Sequence, residues 1–224
     1  SSCCDALRSQ AMGKYLRVIY VLSFKAPPVL TSAVAARLGV AAPSVSAMLN
    51  RLDAAGLLAA SGGGGIVLSE HGQRHAREVV RRHRLIETFL ARAVGMSWDE
   101  VHSEAEAMQH AVSDLLIDRI DEALGHPRHD PHGDPIPPPS GDHVEDWPPA
   151  LADAAVGERF RVDRVSDEDS AALRYLASLG VRPGAVLRVL EPEPFGGPLW
   201  IEIEGQRRAL GTPLARLVHG VAPP

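Results

Sequence analysis

Apolar residues recur at helical spacing through the first half of the chain and alternate through its last third; a stretch rich in Pro, Gly and Asp separates the two regimes. Residues 14–22 (KYLRVIYVL) read as a helix with Leu16, Ile19, Tyr20 and Leu22 inward, stopped by Pro27-Pro28. Thr31 is suited to cap the short helix TSAVAARL, which Gly39 ends. Pro43 then sits in the tolerated first turn of PSVSAMLNRLDAAG, where Val45, Met48, Leu49 and Leu52 form an i, i+3, i+4, i+7 stripe and Gly56 closes the helix. Residues 57–60 and 66–68 read as short strands around SGGGG. One long helix is expected from about 72 to 94 and another over 98–124, ended by Gly125. HPRHDPHGDPIPPPSGDHVEDWPP cannot sustain a helix or a central strand, so it reads as an ordered turn that becomes a linker. From Gly157, RFRVDRV, VLRVLEP, LWIEIE and RALG alternate, with one helix near 170–179 and turns at Pro183-Gly184, Gly196-Gly197 and Gly205; this predicts a small β-barrel.

Helix, short helix, tight turn, longer helix and hairpin is the order of a winged helix-turn-helix, whose second helix enters the DNA major groove. The positions that face outward there are Ser44, Ala47, Asn50 and Arg51, with Ser46 near the entry, Pro43 near the groove and Arg37 on the preceding helix. The chain is thus expected to be mainly α with a small β part, in four segments: a DNA-binding winged helix-turn-helix (1–75), a helical metal-binding and dimerisation domain (76–140), a linker (141–154) and a barrel domain (155–224).

Charge sharpens this division. The net charge of −5 hides a head of +4 over residues 1–75, a middle of −8 over 76–149 and a tail of −1. A basic head can meet phosphates, and an acidic middle can concentrate cations. Nine of the ten histidines lie between His71 and His143, across the acidic part. Within it His83 and Glu87 are spaced i, i+4. If one helix runs through them, His102, Glu106, Gln109 and His110 fall at about 0°, 40°, −20° and 80° of one face. Such a set of imidazoles and oxygens suits Mn²⁺, Fe²⁺ or Zn²⁺. A metallohydrolase would need an open coordination position, and no HExxH or nucleophile motif is present. The vicinal Cys3 and Cys4 imply no disulfide framework. No apolar run approaches the ~18 residues of a membrane span, so a cytoplasmic protein with no membrane partner is expected.

YLRVIY, PSVSAMLNRL, RRHRLIETFL, VHSEAEAMQHAVSD and DPHGDPIP, in this order, resemble the diphtheria toxin repressor family of metal-dependent transcriptional regulators, closest to its manganese- and iron-responsive branch. The C-terminal part resembles the SH3-like (FeoA-type) barrel of its longer members. The resemblance implies a homodimer on a palindromic double-stranded operator, controlled by Mn²⁺ or Fe²⁺. It places Glu106, Gln109 and His110 in a primary metal site together with residue 14, where the manganese-type pattern has Asp and this chain has Lys14; Gln109 likewise replaces a carboxylate. An ammonium cannot coordinate. It implies a second site from His83, Glu87 and His102, or from Glu87, Asp130 and His132, with Asp169 contributed by the barrel domain. Two functions stay open: repression governed by metal at both sites, or DNA binding with Lys14 paired to Glu106 as an internal cation. DNA readout is expected to be modest, since Ala41 and Ala47 stand where the family often has polar side chains.

Overall fold

The computed structural model describes residues 9–60, 64–141 and 143–223. Cys3 and Cys4, and the wing tip at 61–63, lie outside them. The described residues pack as two compact units, whose bounds are 1–86, 106–128 and 136–146 for one and 87–105, 129–135 and 147–224 for the other.

The first unit opens with α1 (Gln10–Lys25), where Ser9 caps the Met12 amide and Lys25 complements the C-terminal carbonyls. Next come α2 (Thr31–Leu38), closed by left-handed Gly39, and α3 (Ala42–Ala54), which crosses it at 110°. Thr31 is the first residue of α2, not its cap; Leu30 holds the cap position and makes no side-chain bond. Leu16, Ile19, Val34, Val45 and Leu52 are fully buried in the core these three helices share. Among the described residues, the expected wing strands reduce to one antiparallel bridge, Leu58 to Leu68, with amide bonds from Ala59 to Val67 O and from Ser69 to Leu57 O.

Helix α4 (Glu70–Phe89) continues into a π-turn, Leu90–Val94, and ends at left-handed Gly95. The region expected as one helix over 98–124 is two, α5 (Val101–Met108) and α6 (Asp114–Ala123). Ser113 stops the first from running on: its hydroxyl caps the Leu116 amide at 3.3 Å, and Asp114 favours the new N-terminus. Gln109 and His110 therefore sit in a turn, so their helix-wheel angles do not apply.

The first part of the expected linker is pinned along α4. Arg77 donates to Gly141 O, Arg81 to Pro137 O at 2.8 Å, and Arg84 pairs with Glu145. Both side chains of that last pair are buried, and His143 Nε2 donates to Glu145 as well.

The second unit is built on a five-stranded antiparallel sheet, β1 (Arg159–Val165), β2 (Val186–Pro192), β3 (Leu199–Ile203), β4 (Gln206–Leu210) and β5 (Val218–Val221), in the order β4-β3-β2-β1-β5. Helix α7 (Ser170–Ser178) follows β1 and packs Leu173 and Leu176 against Phe160, Val162, Val189 and Ile201. Arg164 falls in the inward phase of β1 and is 2% exposed. A cation at a core position needs partners, and it has Asp134 as an ion pair and the Trp147 ring 3.4 Å away.

Candidate metal centre and nucleic-acid interface

Asp130 and His132 lie in the loop 129–135, whose shape comes from Asp130 itself. Its Oδ1 accepts the amides of His132 (2.8 Å) and Asp134 (2.9 Å), as Asp does in tight turns. The loop is fastened to β1 by the Val165 amide on His132 O and by the Arg164–Asp134 pair. Gly133 allows this approach: its φ is +87°, and a Cβ there would lie 2.0 Å from Asp163 O.

Glu87, Asp130 and His132 are buried, and each offers a ligand atom within 4.8 Å of the others. The His132 Nε2–H donates to Trp98 O at 2.6 Å, which fixes Nδ1 as the nitrogen for a ligand; among the described residues Nδ1 has no hydrogen-bond partner. With Asp130 Oδ1 accepting two backbone amides, Oδ2 is the oxygen that would coordinate. His102 Nδ1 donates to Glu87 Oε1 (3.0 Å) and to Asp167 Oδ2 (2.8 Å). Three carboxylates thus face two imidazoles. Burial lowers the pKa of His102, but Asp167 and then Glu87 outweigh it and raise it to about 10. For His132, burial is likewise overcome by Glu87, Asp130 and Asp167, to about 9. The cluster thus holds protons when it holds no other cation, and its donor set fits a divalent ion that would displace them.

Asp169 is not part of this group. Its Oδ1 caps α7 through the amides of Ala171 (2.8 Å) and Ala172 (3.2 Å). The carboxylate that meets His102 is Asp167. The sequence held a clue in DSAAL, since an Asp directly before a helix is an N-cap by default.

Two of the other predicted ligands, Glu106 and His83, meet cations of the protein. Lys14 Nζ is 3.0 Å from Glu106 Oε1, and Arg17 Nη2 is 3.9 Å from Oε2. Arg17 Nη1 also donates to His83 Nε2 at 3.0 Å, while His83 Nδ1–H donates to Gln109 Oε1 at 3.2 Å. His110 stands against the same turn of α1: a Cβ on Gly13 would lie 3.0 Å from its Cε1. Glu106 does not fit a metal, because both of its oxygens face the fixed positive charge of Lys14 and Arg17. Arg17 escaped the sequence reading, although its i+3 spacing from Lys14 puts both on one helix face.

On α3, Pro43, Ser44, Ser46, Asn50 and Arg51 are all exposed, while Val45, Met48 and Leu52 are buried. Ser46 donates its hydroxyl to Ala42 O at 3.3 Å, and Arg37 on α2 is half-buried.

Models described as the iron dependent repressor N-terminal DNA binding domain, the iron dependent repressor metal binding and dimerisation domain, and the FeoA domain match residues 9–66, 69–138 and 150–221. A solved manganese-dependent transcriptional repressor in complex with manganese is 41% identical, with a TM-score of 0.84 over 94% of this chain and 99% of its own. The iron-dependent repressor IdeR of Mycobacterium tuberculosis is 37% identical over 123 residues, and a diphtheria toxin repressor of Corynebacterium jeikeium is 34% identical over 123. The chain belongs to the diphtheria toxin repressor family. It spans about half the length of the curated relatives it matches, 54% of IdeR and 51% of the Corynebacterium jeikeium protein. Within the diphtheria toxin repressor family, its mainly helical N-terminal part and C-terminal five-stranded FeoA sheet follow the family order. Among the described residues no single helix is long and apolar enough to cross a membrane.

Proposed function

We propose that the chain is a homodimeric, metal-responsive repressor that binds a palindromic DNA operator in the cytoplasm and controls manganese or iron homeostasis. Residues 1–75 serve as its DNA-binding domain, 76–140 as its metal-binding and dimerisation domain, and 155–224 as its FeoA-type domain. The observation that carries the reading is the buried Glu87, Asp130 and His132 group, joined through Glu87 to His102 and Asp167, in a chain that also presents an exposed recognition face on α3. Oxygen and imidazole donors of this kind take Mn²⁺ or Fe²⁺, with Zn²⁺ as a competitor.

A divalent ion would neutralise three carboxylates that otherwise need protonated imidazoles. The side chains have divided roles in this. Glu87 closes the C-terminal end of α4, Asp130 and His132 come from a loop held on β1, and His102 and Asp167 complete the carboxylate–imidazole pairing. On the DNA side, Ser44 and Asn50 reach base edges, while Arg37 and Arg51 meet phosphates. Two recognition helices related by a two-fold axis call for a palindrome.

The test is operator binding, using DNA selected from random sequence by the metal-loaded protein, measured in chelator and then with Mn²⁺, Fe²⁺ or Zn²⁺ restored. Binding should tighten with the cognate ion, since metal and DNA affinities are reciprocally linked. Equal affinity under all conditions refutes metal control.

A further inference from the structure

We infer that Lys14 and Arg17 are resident cations at Glu106, so that this half of the histidine and carboxylate cluster is assembled without metal. Both cations project from one face of α1. They divide the carboxylate between them, Lys14 on Oε1 at 3.0 Å and Arg17 towards Oε2 at 3.9 Å. Lys14 is 41% exposed, and an ion pair so placed is weak alone. Arg17 is 12% exposed and does more: the N–H it gives His83 Nε2 occupies the lone pair a metal would need. The second nitrogen of that ring is spent on Gln109. An Arg keeps its charge at every pH a protein survives, so the clamp cannot be emptied by deprotonation.

The consequence is a division of labour along the chain. The contact between α1 and the end of α5 is made by the protein's own cations, and a response to metal rests on the Glu87 group alone. The inference concerns Glu106 and stands whether or not the Glu87 group binds metal.

Equilibrium dialysis of the full chain against Mn²⁺ tests it. Glu106→Gln should leave the manganese bound per chain unchanged; loss of one equivalent overturns the inference. Glu87→Gln, run alongside, reports separately on the proposed metal centre. The converse variant, Lys14→Asp and Arg17→Gln with Gln109→Glu, removes both cations, places two new carboxylates beside Glu106 and His110 and should gain one manganese per chain. A folded triple variant that gains none shows that the two cations are not what keeps metal out, and overturns the inference. A third readout needs no metal: in chelator, Lys14→Met should speed hydrogen exchange of the α1 amides, and unchanged exchange counts against the tie.

Discussion

Replacing Gly133 with Ala would test whether the loop carrying Asp130 and His132 owes its position to close packing on β1. Two costs arise. The backbone there has φ +87°, and an L side chain in a left-handed conformation costs about 1–2 kcal/mol. The new Cβ would also stand 2.0 Å from Asp163 O and 3.0 Å from Arg164 Cα, whereas ordinary contact begins at 3.4 Å. Relief requires the loop or the strand to move by more than an ångström, which breaks the 2.9 Å bond from Val165 N to His132 O. A lost backbone bond adds about 1 kcal/mol, so the sum is roughly 2–3 kcal/mol. Gly184→Ala is the control: φ is +91°, yet no atom lies within 4 Å of its Cβ position, so only the conformational cost applies. Urea denaturation in chelator should show Gly133→Ala clearly less stable than Gly184→Ala. Manganese titration should show affinity falling about 10–100-fold for Gly133→Ala, the range for disturbed supports of metal ligands, and unchanged for the control. Equal stability and equal affinity in the two variants would refute the argument.

Other consequences can be checked as directly. Asp167→Asn should weaken manganese binding, whereas Asp169→Ala should leave it intact and cost only the helix cap, about 0.5–2 kcal/mol by denaturation. His102 and His132 have pKa values raised in the fold to about 10 and about 9, so their contribution to metal-free stability is complete below about pH 6.5 and is lost as pH climbs through 9 to 10. Denaturation in chelator from pH 6 to 10 should show this decline, and a His102→Gln, His132→Gln double variant should flatten it; equal slopes would count against the assignment. Metal binding should also release protons, read by calorimetry in buffers of different ionisation enthalpy. Arg84→Met alone takes the guanidinium from buried Glu145, which keeps its His143 contact, and should cost up to about 3–5 kcal/mol, while Arg84→Met with Glu145→Gln should recover a large part of it.

The architecture was legible where a single period governs a segment. Val45, Met48 and Leu52 on α3, and Phe160 and Val162 on β1, are buried as their spacing requires. The errors arose where a local cap competed with a longer pattern. Ser113 divides a region whose apolar period suggested one helix, which takes Gln109 and His110 off the helix face. Asp169 answers a nearby helix terminus, and Asp167 meets His102 instead. The Arg84–Glu145 pair joins positions 61 apart with no pattern between them. Arg17 carried a weak signal in its spacing from Lys14, but nothing local showed that it would turn to His83.

The row of arginines on α4 changes how a protease would meet this chain. By composition, residues 136–146 look like an open cutting site. Their backbone carbonyls at Pro137 and Gly141 are held by Arg81 and Arg77, and Glu145 is buried with Arg84. A backbone must leave such contacts before it can enter an active-site cleft. Cleavage there would then be slow and would report the free energy needed to peel the segment from the helix, which makes a nicking rate a gauge of local opening.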